Sequence, residues 1–393
     1  RATAQLVEAP GGTLLSSYSV QASLGDLFHL QDDLTRRVVD ALALPLGGPV
    51  STPDAPQNPR SYGLYLEANA LARNYQELHR ALDLYRRSVE LDPRFAPAWA
   101  ELGRTYRIVA KFVGGPEDSY ERAEDALQRA LELSPRLTVA HKYYAHLEAD
   151  TGHSHAALVR LLDEAARHEN DPEIFAGLVH ACRYCGLFEQ SLAAHDEARR
   201  LDPHIPTSME QTLLMCGDFD RLLALDARER KAGSGADVAL VGALAVMGRR
   251  EEALQTLATI VRTGSEIAAF RGWVDFLTAW LERRVEDMAA ARDSMRTLMI
   301  VEDPEALFQE AMAFCEVGNL ERGLSSLRRA VQEKGYFAVE TMEQSRTFAH
   351  ARSDPRFQEI LKVATAGRDQ ALALFRDRRG DRLLGRRIEA VAA

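Results

Sequence analysis

Five glycines stand in the same local context at near-regular intervals, and that recurrence confines the chain to a repeat architecture. Gly152, Gly186, Gly217, Gly248 and Gly318 each sit between two helical stretches, as in Gly152-His-Ser-His-Ala-Ala157-Leu and Gly186-Leu-Phe-Glu-Gln-Ser191-Leu. Successive intervals are 34, 31, 31 and 70 residues. The last is twice 35, and Arg283, with Leu281 and Met288 around it, falls midway and marks a degenerate repeat. A unit of that length holds two helices and a turn. It cannot bury its own apolar face, so stability has to come from stacking on its neighbours.

A second landmark runs in phase with the first. Leu91-Asp92-Pro93, Leu133-Ser134-Pro135 and Leu201-Asp202-Pro203 each close an amphipathic helix. Proline cannot continue a helix, and the residue before it is pushed out of the α region. Upstream of each stop, apolar and small residues recur at helical spacing, as in Ala81, Leu84, Tyr85 and Ser88, or Ala123, Leu127 and Ala130.

These features resemble the tetratricopeptide repeat, in which two antiparallel helices occupy about 34 residues. The residues that carry the likeness are Ala98-Trp99-x-x-Leu102-Gly103-x-x-Tyr106, and Phe175, Leu178, Gly186, Phe188, Ser191, Ala198 and Pro203. The stretch 61–335 is read as about eight such repeats, degenerate from about residue 205. Lys111–Asp118 reads as a lengthened turn. At Gly217 a Leu222 replaces the small residue, and Gly233-Ser234-Gly235 is an inter-helix loop. The fold class expected is an all-α helical-hairpin solenoid with a small α/β remnant at the N-terminus. Gly335-Tyr336-Phe337 through Phe357 resembles the closure of such arrays, so 336–393 is assigned to capping helices and an Arg-rich tail.

The N-terminal end departs from the repeat. Residues Arg1–Val20 alternate as two strands about Ala9-Pro10-Gly11-Gly12, and Leu27–Leu44 reads as an amphipathic helix stopped by Pro45. Residues 47–60, rich in Pro, Gly and Ser, read as a linker. A lone hairpin and helix bury no useful core, and the chain begins at Arg1 without Met, so 1–46 is expected to be the end of a domain that continues upstream. Gln5-Leu6-Val7, Leu24-Gly25-Asp26-Leu27-Phe28 and Leu30-Gln31-Asp32 resemble the closing stretch of the TolB-like domain of bacterial multidomain signalling proteins. In that setting the resemblance implies, as an alternative to a free-standing scaffold, the regulatory region of a serine/threonine kinase or nucleotide cyclase whose catalytic domain lies upstream.

Composition narrows the function. The 393 residues are 46% hydrophobic and 27% charged, which is a globular and not a disordered balance. A net charge of −10 argues against a nucleic-acid partner, since phosphate binding asks for a basic face. The apolar run Ile267–Leu281 is interrupted by Arg271 and Asp275 and is too short to span a bilayer, so no membrane contact is expected of this segment. Four cysteines do not make a disulfide framework. None of this fixes a compartment. A membrane span upstream would place the array outside the cytoplasm, and without one it would be cytoplasmic.

No motif proposes chemistry. A phosphate-cradling glycine loop, a dinucleotide fingerprint and a nucleophile elbow are all missing, so no catalytic residue, metal or cofactor is assigned. Cys182-Arg183-Tyr184-Cys185 has the spacing of half a zinc site, with Cys216, His180 and His195 as recruits. Counted from Gly186, however, both cysteines fall at helix–helix core positions. Eight histidines between His141 and His204 are expected to be scattered and mostly exposed, because a spacing such as His141/His146 does not share one helical face.

The binding surface is the more informative feature. First helices of stacked pairs line a concave face, and counting from the landmarks places Arg104, Arg107, Lys142, His146, His180 and Arg183 there. Val238, Gly242, Ala245, Phe308, Met312 and Cys315 follow at corresponding positions. The expectation is a groove with a basic first half and an apolar second half, suited to a protein or peptide with an acidic end, or to an intramolecular partner upstream. The alternative is that these cations pair with Glu101, Glu148 or Glu173. Ala100, Arg104 and Tyr143 stand where some tetratricopeptide proteins carry a Lys/Asn carboxylate clamp, so that mode of binding is not expected.

Overall fold

A computed structural model describes residues 2–8, 13–20, 54–231, 238–262 and 267–385, the two strands in backbone only. The chain divides into two compact units, Arg1–Leu102 with Gln128–Arg136, and Gly103–Leu127 with Leu137–Ala393.

In the first unit, β1 (Ala2–Glu8) pairs antiparallel with β2 (Thr13–Val20), Ala2 opposite Val20, with a register shift between Leu6 and Val7. The turn at Ala9–Gly12 and the helix expected over Leu27–Leu44 lie outside the described residues. Two helices, α1 (Pro59–Leu71) and α2 (Leu78–Leu91), form a hairpin. Helix α1 starts inside the segment read as linker. Asn58 accepts hydrogen bonds from the amides of Arg60 and Ser61, and Pro59 occupies the first helical position, where its missing N–H costs nothing. Ser61 and Ser88, both fully buried, meet with their hydroxyls 2.9 Å apart, and each donates to the other's carbonyl. Only small polar side chains allow two helices that close an approach. The buried carboxylate of Asp92 then accepts the amides of Gln57 and Asn58 and ties the entry of α1 to the exit of α2.

In chain order the remaining helices are α3 (Ala96–Ile108), α4 (Ser119–Leu133), α5 (Thr138–Asp150), α6 (Ser154–Arg167), α7 (Pro172–Tyr184) and α8 (Phe188–Leu201). They continue with α9 (Met209–Cys216), α10 (Phe219–Lys231), α11 (Val238–Met247), α12 (Arg250–Arg262), α13 (Ala268–Leu281) and α14 (Val285–Ser294). The series ends with α15 (Pro304–Glu316), α16 (Leu320–Arg328), α17 (Val339–Gln344), α18 (Pro355–Asp377) and α19 (Gly380–Gly385). From α5 to α16 consecutive helices pair as hairpins. At each turn the landmark glycine adopts a left-handed backbone, with φ between 70° and 95° at Gly152, Gly186, Gly217, Gly248 and Gly318. Arg283 takes the same conformation, φ 59°, between α13 and α14. The degenerate repeat keeps the turn and lacks only the residue that adopts it without strain.

Of the lengthened turn expected over Lys111–Asp118, residues 111–113 are instead a helical continuation and 114–118 form the turn. Helix α3 runs on through a π-turn, Val109–Val113, which ends at Gly114 with φ 105°. That extra turn carries the buried Lys111.

The second unit closes on itself. Twelve of the thirteen residues of α15 are buried, Gln309 being the exception, so this helix is packed on every side. Phe308 lies 5.2 Å from the ring of Tyr336 and 5.6 Å from that of Phe348, which in turn contacts Phe357. The segment after α16 returns to the early repeats. The Phe337 amide donates to the Tyr184 carbonyl at 3.0 Å, and Ser154 donates to the Gly335 carbonyl at 2.7 Å. Thr341 donates to the Met215 carbonyl, and His155 meets the Gly367 carbonyl at 2.8 Å. Ala245, Phe308, Met312 and Cys315, read as the apolar half of an open groove, are core residues. The cause is visible at two of them: Phe308 is covered by Tyr336 and Phe348 of the chain's own C-terminal segment, and Cys315 packs against Gly323 of α16.

Two substitutions test the turns. Arg283→Gly relieves a left-handed strain and is expected to stabilise the chain by about 0.5–1 kcal/mol in urea unfolding. Gly186→Ala is expected to cost about 3 kcal/mol, because a Cβ there would sit 2.0 Å from the Phe337 carbonyl oxygen.

Candidate functional site

The six cations and histidines expected on the first-helix face do converge, but on one another and on carboxylates of the same chain. Asp150, at the end of α5, is fully buried and accepts from Arg107 at 2.5 Å and from Lys111 at 3.0 Å. Lys111 also donates to Asp303 at 2.6 Å, across 192 residues of sequence. The Tyr184 hydroxyl completes Asp303 at 3.0 Å. The residue before Tyr184 on α7, Arg183, is clamped to Glu305 through Nε at 2.7 Å and Nη2 at 3.3 Å, and Tyr336 donates to the same carboxylate at 2.9 Å. Arg183 spends its remaining nitrogen on Ser208.

Further along α15 the pattern repeats. Glu310 accepts from Arg292 at 2.6 Å, with Arg322 3.6 Å away. Glu316 takes Arg250, Arg346 and the indole N–H of Trp280. Each acid of this helix and of its Asp303 cap is therefore matched by donors from other elements, as buried charge requires.

The electrostatics follow. Burial alone would raise the Asp150 carboxyl, but Lys111 and Arg107 outweigh it and hold the pKa down at about 2. Asp303 shares Lys111 with Asp150 and moves the other way: burial raises it, and the charges of Asp150 and Glu305 add to the rise. Arg183 is desolvated, yet Glu305 holds it more firmly charged than a free guanidinium.

Arg107 and Arg183 thus do not offer free charge to a partner. The expectation of a basic half-groove fails at these two positions, because the acidic end it called for is supplied from within, by Asp150 and Asp303-Pro304-Glu305. Lys142 is paired with Glu173, the alternative weighed from the sequence. Arg104 is half-buried and Lys142 largely buried, and they flank the buried Tyr143 ring, with their charged ends 5.6 and 4.9 Å from its centroid.

The histidines are also not scattered. The rings of His146 and His180 stack at 4.6 Å between centroids, and His180 lies 4.2 Å from the Tyr184 ring. Both Nε2 atoms are shut off from solvent without a hydrogen-bond partner among the described residues. His141 and His195 are largely buried as well. The signal was present in the sequence. His146/His180 and Asp150/Tyr184 are each 34 residues apart, the Gly152–Gly186 interval, so each pair holds the same position in successive repeats. Lys111 gave no such signal, since it sits on a turn that breaks the repeat.

Cys182 and Cys185 pack in the core, as counting from Gly186 implied. The Cys185 thiol donates to the Ser154 carbonyl at 3.4 Å, and burial pushes its pKa up to about 12.

The in-phase left-handed turns, the small residues at helix crossings and the proline stops decide the fold. The chain folds as a tetratricopeptide-type helical-hairpin solenoid. No protein-family profile matches it, and no curated protein is similar to it. Several solved structures are similar to this solenoid at low identity. Yeast Tom70 aligns at 13% identity over 86% of this chain and 76% of that one, with a TM-score of 0.41. PilF of Pseudomonas aeruginosa aligns at 13% over 60% and 90%, with a TM-score of 0.31. Human IFIT1, in a dimer with m7Gppp-AAAA, aligns at 13% over 90% and 78%, with a TM-score of 0.37. Likeness at that level says nothing of what this solenoid binds. The TolB-like resemblance rests mostly on residues 24–32, outside the described residues. Among the described residues of the solenoid, no helix is long and apolar enough to cross a membrane.

Asp150→Asn leaves Arg107 and Lys111 without their shared anion and is expected to cost about 3–5 kcal/mol. Asp83→Asn, which removes an exposed pair with Arg86, should change stability by less than about 0.5 kcal/mol. Urea unfolding of both variants compares them directly. Thiol labelling of the native chain should modify the half-buried Cys216 before the buried Cys182, Cys185 and Cys315.

Proposed function

We propose that the chain is a non-enzymatic protein-binding scaffold whose contact surface is the edge formed by Arg104, Lys142 and Glu173 around the buried ring of Tyr143. The observation that supports this reading is the division of the six first-helix residues. Arg107 and Arg183 are committed to buried carboxylates of the chain and His146 and His180 stack on each other, whereas Lys142 pairs with the partly exposed Glu173 and lies, with the half-buried Arg104, beside an aromatic ring. Glu173, more exposed than its partner Lys142, adds an acceptor to the same edge. A guanidinium and an ammonium group side by side recognise a carboxylate, so the partner expected is a protein or peptide with an acidic segment. Stacked helical hairpins present such an edge on rigid elements, which lowers the entropy cost of binding.

The test uses a panel of labelled acidic, neutral and basic peptides read by fluorescence anisotropy. Arg104→Glu/Lys142→Glu is expected to weaken binding of acidic peptides at least ten-fold, or about 1.4 kcal/mol, with helicity by circular dichroism unchanged. A variant that binds acidic peptides as the native chain does would remove the edge from consideration.

A further inference from the structure

The stacked His146–His180 pair sits where a new positive charge has nowhere to go. Facing it from α3 and its π-turn are Arg107 and Lys111. From α4, Tyr120 approaches Asp150 and Arg107. From α5 come Lys142 and Asp150, and from α7 come Arg183 and the Tyr184 ring. From the α15 side come Asp303, bonded to Tyr184, and Glu305, bonded to Arg183. Every anion in this set is already engaged. Asp150 holds Arg107 and Lys111, Asp303 holds Lys111 and Tyr184, and Glu305 holds Arg183 and Tyr336. The nearest acceptor to the pair is Asp150, whose Oδ1 is 4.0 Å from His180 Nε2.

We propose that the His146–His180 stack is an acid-sensitive latch on the closed solenoid: a proton taken up from solvent by one imidazole sets a third cation competing for Asp150. The consequence runs through Lys111. It bridges Asp150 to Asp303, so weakening its hold on Asp150 loosens the tie between the early repeats and the start of α15. The bare ring nitrogen accepts the proton, and no other bond is made or broken.

The direction of the effect follows from burial. Desolvation, followed by the mutual repulsion of the pair and the nearby Arg107 and Lys142, lowers the His146 pKa well below that of a free imidazole. Desolvation with Arg183, Lys111 and Arg107 does the same to His180. Opening the array returns both groups to water and raises their pKa toward about 6.5, so the open form binds more protons. Closure is therefore fully favoured above about pH 6.5, and it weakens as pH falls below that value toward the lowered pKa of the closed form.

The experiment is hydrogen exchange of the full chain at pH 7.5, 6.5 and 5.5, corrected for intrinsic rates, with the amides of α15 compared with those of α13. Each imidazole that gains a proton on opening shifts the equilibrium about ten-fold between pH 7.5 and 5.5, so with both titrating about 100-fold faster exchange of α15 is expected at pH 5.5 than at 7.5. The variant His146→Gln/His180→Gln should lose that dependence. Equal pH dependence in variant and native chain, or none in the native chain, would overturn the proposal. If the double variant does not fold, NMR titration of the two imidazoles in the native chain decides. Titration in step with loss of α15 protection supports the latch, and titration without that loss overturns it.

Discussion

Helix α15 is the element on which the second unit depends. A helix in an open stack of hairpins buries its contacts with its partner and its neighbours and leaves one face to solvent. This one leaves almost none. Asp303 at its cap, and Glu305, Glu310 and Glu316 along it, cannot be buried without partners, and a lone buried carboxylate would cost several kcal/mol. Their partners are drawn from six other places: Lys111, Arg183, Arg250, Arg292, Arg322 and Arg346. The helix thus fixes where α3, α7, α12, α14, α16 and the segment after α17 must lie relative to it. Apolar burial supplies most of the stabilisation, through Phe308, Phe314 and their aromatic neighbours. The charges add specificity, since a shifted register would leave an ion without a counter-ion.

That arrangement changes the meaning of the conserved-looking positional code of the repeat. Residues at the inward positions of successive first helices are available for ligands only if the array stays open. Here the same positions recognise the chain's own acidic turn at Asp303-Pro304-Glu305. Two of the six residues read as the basic half of a groove, Arg107 and Arg183, work as structural ions.

The hairpins were legible because turn chemistry is local. A left-handed residue after a helix favours glycine wherever it occurs, and a proline stops a helix whatever surrounds it. Arg283 could be placed by interval alone. The core position of Cys182 and Cys185 was legible for the same reason, being counted from a turn. The pairing of His146 with His180 was also within reach, since residues one period apart stack on adjacent helices. Spacing within one helix, five residues from His141 to His146, does not reveal it; spacing between repeats, 34 residues from His146 to His180, does. Lys111 was not legible. Its role depends on a π-turn that no nearby residue announces and on an aspartate 192 residues away.

The sequence by itself determined the hairpin unit, its period, its turns and the residues that face inward, all set by interactions within some 35 residues. Only the tertiary structure decided that the second unit closes on itself, and with it which inward charges are matched by buried carboxylates of the chain. Closure is a contest between distant segments for the same buried surface. Its outcome depends on how small rotations add from one hairpin to the next until Asp303 and Glu305 meet Lys111 and Arg183, and no local pattern records that sum.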